Sequence, residues 1–254
     1  MVAQYQTMLT GLRAAGDPPA GFHWCLSPDV NPASDLGRDG HPRPGIYLPK
    51  LPFPRRMWAG GEVQCTSPLL MGETVDRTST VTGIEMKTGR SGKLAFVTVE
   101  HDYQVAGEHR LKDRQDIVYR EDPDPNAPKP VVPAGEAWDA MRVWKTTPDE
   151  TLLFRYSAIT FNGHRIHYDH PYATQVEGYD GLVVHGPLQA TWMQNLAADI
   201  FGQQATKFSY RGLSPLIAGQ EIAIEARTND VGLDLRVRRC CDGVVTMQGT
   251  AMSE

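Results

Sequence analysis

The sequence predicts an α+β protein built from two similar halves in tandem, each an antiparallel sheet wrapped around a helix. Three observations lead there. Residues 61–121 and 208–251 carry alternating apolar and β-branched patterns cut by turn signals, as the strands of a meander do. Between them, residues 187–201 open on Pro187 and stop before Gly202, the punctuation of a helix. Each meander is also introduced by the same pattern. Ser67-Pro68-Leu69-Leu70-Met71-Gly72 and Ser214-Pro215-Leu216-Ile217-Ala218-Gly219 both lead into a long strand. A shared turn followed by a matching strand order is the mark of duplication.

In order along the chain, residues 1–20 place Tyr5, Met8, Leu9 and Leu12 at helical spacing, and Asp17-Pro18-Pro19 closes that segment. Residues 27–56 are rich in Pro, Gly and Asp and lack periodicity, so a long irregular arm is expected on a surface or over a pocket. Strands are expected at 74–85, 93–105 and 111–119, with turns at Gly89-Arg90-Ser91-Gly92 and Ala106-Gly107-Glu108. The run from Glu121 to Pro130 has the composition of a linker. The organisation is therefore an N-terminal half 1–121, a Pro-rich linker 122–150 and a C-terminal half 151–254. Residues 151–156 read as a strand. In the helix 187–201, Trp192, Leu196 and Ile200 point to the core. Strands at 208–213, 220–228, 233–239 and 244–251 complete the second half.

Of the 254 residues, 41% are hydrophobic and 22% charged, ordinary for a soluble domain. A net charge of −5 with no basic run argues against a nucleic-acid partner, so an anionic ligand must be met by local positive charge. No stretch approaches the ~20 apolar residues of a membrane span, and Met1 to Gly16 lack a signal-peptide core. A cytoplasmic protein with no membrane partner is expected. Cys25, Cys65, Cys240 and Cys241 include no CxxC spacing, and an adjacent pair on a strand points to opposite faces, so free thiols are expected.

Four of the eight histidines fall in two short blocks, Phe161 to His170 and Gly181 to Leu188. Histidine is the side chain best suited to proton transfer near neutral pH. The His185-Gly186 pair just before a helix offers backbone N–H groups and a positive dipole end to a developing anion. His164, His167, Asp169 and His170 are also a ligand set that suits a metal by type.

Three stretches carry a family resemblance: Tyr156 to Asp169, Gly178 to Leu188, and Leu51-Pro52-Phe53-Pro54-Arg55-Arg56-Met57-Trp58-Ala59-Gly60-Gly61. With the internal repeat, they resemble the double-hotdog MaoC-like hydratases and dehydratases, and within these the group of mesaconyl-C4-CoA hydratase, itaconyl-CoA hydratase and mitochondrial 3-hydroxyacyl-ACP dehydratase. The resemblance implies a double hotdog fold and reversible hydration of an enoyl thioester. CoA or phosphopantetheine enters as part of an acyl-CoA or acyl-ACP substrate, with no metal or other cofactor, in a homodimer.

The family pattern Asp-x-Asn-Pro-x-His-x-Asp, aligned on its histidine, gives His167 the catalytic position and Asp169 the trailing acid. Asn162 stands at the leading acid, His164 at the motif asparagine and Arg165 at the proline. An amide cannot take a proton at neutral pH, so Asn162 is expected to position water or the thioester while His167 carries the proton work. Gly186 matches the oxyanion position. Arg165, His164, His185 and Tyr156 are the implied substrate-binding residues, Arg165 being suited to a carboxylate by its planar fork.

Overall fold

In a computed structural model, residues 1–89, 92–122 and 131–253 are described. The N-terminal half contributes β1 (Arg55–Cys65), β2 (Val75–Gly89), β3 (Gly92–Val105) and β4 (Glu108–Arg120). The C-terminal half contributes β5 (Arg142–Thr146), β6 (Lys207–Gly212), β7 (Ile222–Asn229), β8 (Gly232–Arg239) and β9 (Val245–Met252). The helices are α1 (Val2–Met8), α2 (Glu150–Thr160) and α3 (Gly186–Phe201).

All nine strands join one sheet in the order β2-β3-β4-β1-β6-β9-β8-β7-β5, with every pairing antiparallel. Read outward from the β1–β6 seam, the two halves run in the same order, which is the duplication seen in the sequence. The seam needs its glycines. A side chain at Gly60 would stand 2.6 Å from the Tyr210 carbonyl, and one at Gly61 would run into the Arg114 carbonyl.

The central helix is α3. Every residue from Leu188 to Ala198 is buried, so this helix is enclosed on all sides. Apolar Leu188, Trp192, Met193 and Leu196 belong to the main core with Phe208, Ile224, Leu235 and Met247 of the surrounding strands. Its polar residues are answered by the N-terminal segment. The Asn195 amide donates to the Ala20 carbonyl at 2.9 Å and accepts from the Ala14 N–H, while Thr191 pairs with the Tyr5 hydroxyl at 3.1 Å.

Among the described residues, the N-terminal half has no comparable helix. The helix expected over 1–20 stops at Met8, and the chain continues through Phe22–Cys25 as one 3-10 turn against α3. Leu48, Leu51 and Phe53 of the arm pack on Ala95, Val97, Val99 and Tyr119 of β3 and β4.

Residues 151–156, expected as a strand, are the start of α2. The Asp149 carboxylate caps it by accepting from the Leu152 N–H at 2.8 Å, and Glu150 follows in the first turn. The buried residues Leu153, Tyr156 and Ser157 keep helical spacing, and the short apolar run around them hides it. Strand β5 lies within the segment read as linker and pairs with β7; Arg90, Ser91 and residues 123–130 lie outside the described residues. Cys240 and Cys241 sit in the turn after β8 rather than on a strand, and all four cysteines are free. No described helix is long and apolar enough to cross a membrane.

Candidate active site

The site forms where α2 reverses into the turn that precedes α3. Phe161 takes left-handed backbone at φ 53°, and the Asn162 N–H returns to the Ser157 carbonyl at 2.8 Å. The chain then enters a 3-10 turn, Arg165–His167. Asn162 Oδ1 accepts from the His164 N–H at 2.9 Å, so the amide holds the shape of this turn.

His167 is buried, with Nδ1 2.6 Å from the Val183 carbonyl. A carbonyl only accepts, so Nδ1 carries the hydrogen and Nε2 keeps its lone pair. Burial, reinforced by neighbouring His164, holds the ring well below the usual histidine range. His167 is thus a neutral imidazole of fixed tautomer with a free basic nitrogen.

His185 stacks on it, ring centroids 3.5 Å apart, and stands at the N-cap of α3. Its Nε2 meets Ser157 Oγ at 2.8 Å, while the buried Nδ1 has no partner. Desolvation keeps it neutral as well. The buried Tyr156 ring lies 4.9 Å from His185.

Gly186 opens the helix. A Cβ there would stand 2.6 Å from the Trp58 ring, so only glycine lets this β1 side chain lie across the helix end. Pro187 has no N–H, which leaves Gly186 among the few first-turn donors of a helix whose positive end faces the histidines.

The other predicted positions separate. Arg165 gives Nε and Nη2 to Asp169 Oδ2 at 2.9 and 2.7 Å and Nη1 to the Arg38 carbonyl at 3.0 Å, and lies over the Tyr172 ring. Asp169 also accepts from the Tyr172 N–H at 3.0 Å, and these two contacts hold its carboxyl below the usual range. Asp169 is therefore engaged with Arg165 and the next turn rather than with His167. His170 is exposed, so the metal-type set His164, His167, Asp169 and His170 is split up.

A different group gathers instead. His164 is buried, 5.4 Å from His167 and 4.4 Å from His41 between ring centroids. Asp39, His41 and His164 hold donor atoms within 4.8 Å of one another. Arg56 of β1 places its Nε 3.3 Å from Asp39 Oδ2, and that fixed cation opposes a divalent ion at the same oxygen. The sequence reading missed Asp39, His41, Ser157 and the role of Trp58. The arm has no periodicity to mark its residues, and only its proposed place over a pocket hinted at them.

Comparison with known proteins adds to this geometry. The model of the hydroxyacyl-thioester dehydratase type 2 family matches residues 21–218. The mesaconyl-C(4)-CoA hydratase of Chloroflexus aurantiacus is 41% identical over 247 residues, covering 95% of this chain and 86% of that protein. The crystal structure of HtdX from Mycobacterium tuberculosis matches with a TM-score of 0.67 over 100% of this chain and 94% of that one, at 16% identity. A second Mycobacterium tuberculosis protein, which has a double hotdog fold, matches at 0.54 over 98% and 90%, at 14% identity. The fold is a double hotdog, with a long central helix, α3, in the C-terminal half.

Proposed function

We propose, from the premise that this chain belongs to the hydroxyacyl-thioester dehydratase type 2 family, that it is a hydro-lyase adding water reversibly to an enoyl thioester. The preferred substrate is a branched C5 dicarboxylyl-CoA, mesaconyl-C4-CoA or itaconyl-CoA. The observation that carries the reading is the buried, neutral His167, its tautomer set by the Val183 carbonyl, beside the N-terminus of α3.

The chemistry follows from those groups. The thioester oxygen lies at the Gly186 N–H, where enolate-like charge is stabilised as it builds. His167 Nε2 takes a proton from water as the water oxygen bonds to the β-carbon. The α-carbon then gains a proton, and the imidazole returns to its neutral form. Hydration neither oxidises nor reduces the substrate, so no redox cofactor is required, and CoA or phosphopantetheine arrives with the acyl group. Asn162 acts by holding the turn and by its amide donors, not by ionising.

Substrate choice rests on the 41% identity to the Chloroflexus aurantiacus protein. Arg165, the first candidate for a free carboxylate, is already answered by Asp169. That observation favours a second reading, a straight-chain 3-hydroxyacyl-ACP or -CoA dehydratase. The protein is further taken as a cytoplasmic homodimer. The exposed apolar side chains Val81, Ile84 and Met86 on the edge strand β2 support the dimer.

Hydration rates on mesaconyl-C4-CoA, itaconyl-CoA, crotonyl-CoA and longer enoyl-CoA thioesters test the proposal, measured with and without chelator. Preference for the dicarboxylyl thioesters at a chelator-independent rate is expected. Preference for straight chains moves the assignment to the second reading. Absence of turnover on every thioester leaves an acyl-thioester binding protein.

A further inference from the structure

Residues 36–42 of the arm fold into a tight loop closed by the Leu36–Pro42 bridge and by the Gly37 N–H to His41 carbonyl bond at 2.7 Å. The loop tip docks on the hydratase turn. Gly40, at φ +87°, faces Gly163 so closely that a Cβ on Gly40 would overlap the Gly163 carbonyl. The Arg165 N–H donates to the Asp39 carbonyl at 2.9 Å, and the Arg165 guanidinium reaches the Arg38 carbonyl. Two glycines and the arginine that replaces the motif proline thus clamp the arm onto the site.

This clamp delivers a buried carboxylate. Asp39 is 8% exposed and accepts from the His41 N–H at 3.1 Å, from His41 Nδ1 at 3.4 Å and from Arg56 Nε at 3.3 Å. His41 packs on His164, and His164 stands edge-on to His167. Asp39 and His41 therefore reach the reacting histidine through His164. The hydratase turn itself brings no such carboxylate to His167, because Asn162 holds the leading acid position and Asp169 is engaged with Arg165.

We propose that Asp39 and His41 are positioning residues of the active site, together fixing the His164 ring beside His167, with Asp39 supplying, from the other half of the chain, the negative charge that the hydratase turn lacks. The inference rests on the hydratase reading. As His167 takes the proton of water it becomes an imidazolium, and Asp39 favours positive charge at the His164 ring that stands against it. The groups facing His164 are Asp39 and His41 from the arm, Arg56 from β1, His185 from the α3 cap and His167 from its own turn. Among them Asp39 is the one anion. It works against burial, which pushes the ring well below the usual histidine range.

The test uses the full chain with mesaconyl-C4-CoA and crotonyl-CoA, and compares wild type with Asp39→Asn, His41→Gln and His167→Ala. Asp39→Asn and His41→Gln should each lower kcat at least about tenfold with KM little changed. Asp39→Asn should also move the acid limb of the pH profile to lower pH, because the cluster loses the anion that favours its protonation. If Asp39→Asn does not fold, His41→Gln, which leaves the Asp39–Arg56 pair in place, carries the test through the kcat-against-KM split. Wild-type kcat in a folded His41→Gln or Asp39→Asn protein, with His167→Ala inactive, overturns the proposal and leaves the hydratase reading standing. A drop in kcat for Asp39→Asn with the acid limb unmoved also overturns it, since a merely structural role has that effect. No hydration by wild type on either thioester, nor on itaconyl-CoA or longer enoyl-CoA thioesters, removes the hydratase reading and this inference together.

Discussion

The two halves share a strand order but not a filling. Strands β6–β9 wrap α3, and the outer edge of β7 is closed by β5. Strands β1–β4 enclose no long helix among the described residues, and the equivalent edge, β2, is left open. Other chain takes the missing places: the segment before Leu26, with the short helix α1, against α3, and the irregular 27–56 arm against β3 and β4. The difference has a chemical consequence. One helix N-terminus is set among buried histidines, and it lies in the C-terminal half. The other half, with no long helix among its described residues, brings Asp39 and His41 across to His164 on its irregular arm. The shared strand order supplies the frame, and the irregular arm of one half supplies a loop that reaches the other.

The largest expected effect tests whether the chemistry is confined to the C-terminal half. His167→Ala should lower kcat by about 10²–10⁴ while the thermal unfolding midpoint stays near wild type. Near-normal turnover by the folded variant breaks the comparison at once.

Next comes a test of how the halves are clamped. Arg165→Met removes the bond to the Arg38 carbonyl together with the Asp169 pair. It should therefore reduce hydration of mesaconyl-C4-CoA and crotonyl-CoA by similar factors. A rise in KM for the dicarboxylyl thioester alone would show that Arg165 meets substrate directly.

Buried titratable groups of the N-terminal half should affect stability rather than rate. Asp113 is fully buried, accepts from Trp24 and Gln115, and is pushed up to about 6 by burial. A raised carboxyl contributes stability in its protonated form, complete below the unfolded value of about 3.9 and lost as pH rises through about 6. Asp113→Asn removes that loss. Its denaturation free energy relative to wild type should improve between about pH 4 and about pH 7, by on the order of 2 kcal/mol. The histidines of the C-terminal site have the opposite sign. They are depressed by burial, and the stability they contribute above the ordinary histidine value of about 6.5 is lost on acidification. A pH-independent difference for Asp113→Asn would show the carboxylate to be ionised in the fold.

The smallest effect lies at the β3–β4 hairpin. Ala106 and Gly107 both have positive φ, 52° and 81°, and alanine is a poor residue there. Ala106→Asn or Ala106→Gly should stabilise by about 0.5–1 kcal/mol without changing hydration, as read by chemical denaturation.

Much of this was legible because it is periodic or punctuated. Alternating residues and turn pairs marked the meanders, Pro187 and Gly202 bounded α3, and the shared Ser-Pro-Leu pattern marked the duplication. His167 and Gly186 stood out because a compact motif carries its residues in one short stretch. Helix α2 was misread because three consecutive apolar residues look alike in a strand and a helix, and its cap, Asp149, is the deciding signal. Local pattern alone determined these elements, since propensity, capping and burial spacing act over a few residues.

Tertiary structure decided the rest. Arg165 could have met a substrate or an acid, and the fold gave it Asp169 and the Arg38 carbonyl. Asp39 and His41 lie more than a hundred positions from His164 in the chain, in a stretch with no periodicity, and come to it only because two glycines allow two backbones to touch. Contacts of that range depend on how the whole sheet closes, and no local spacing records them.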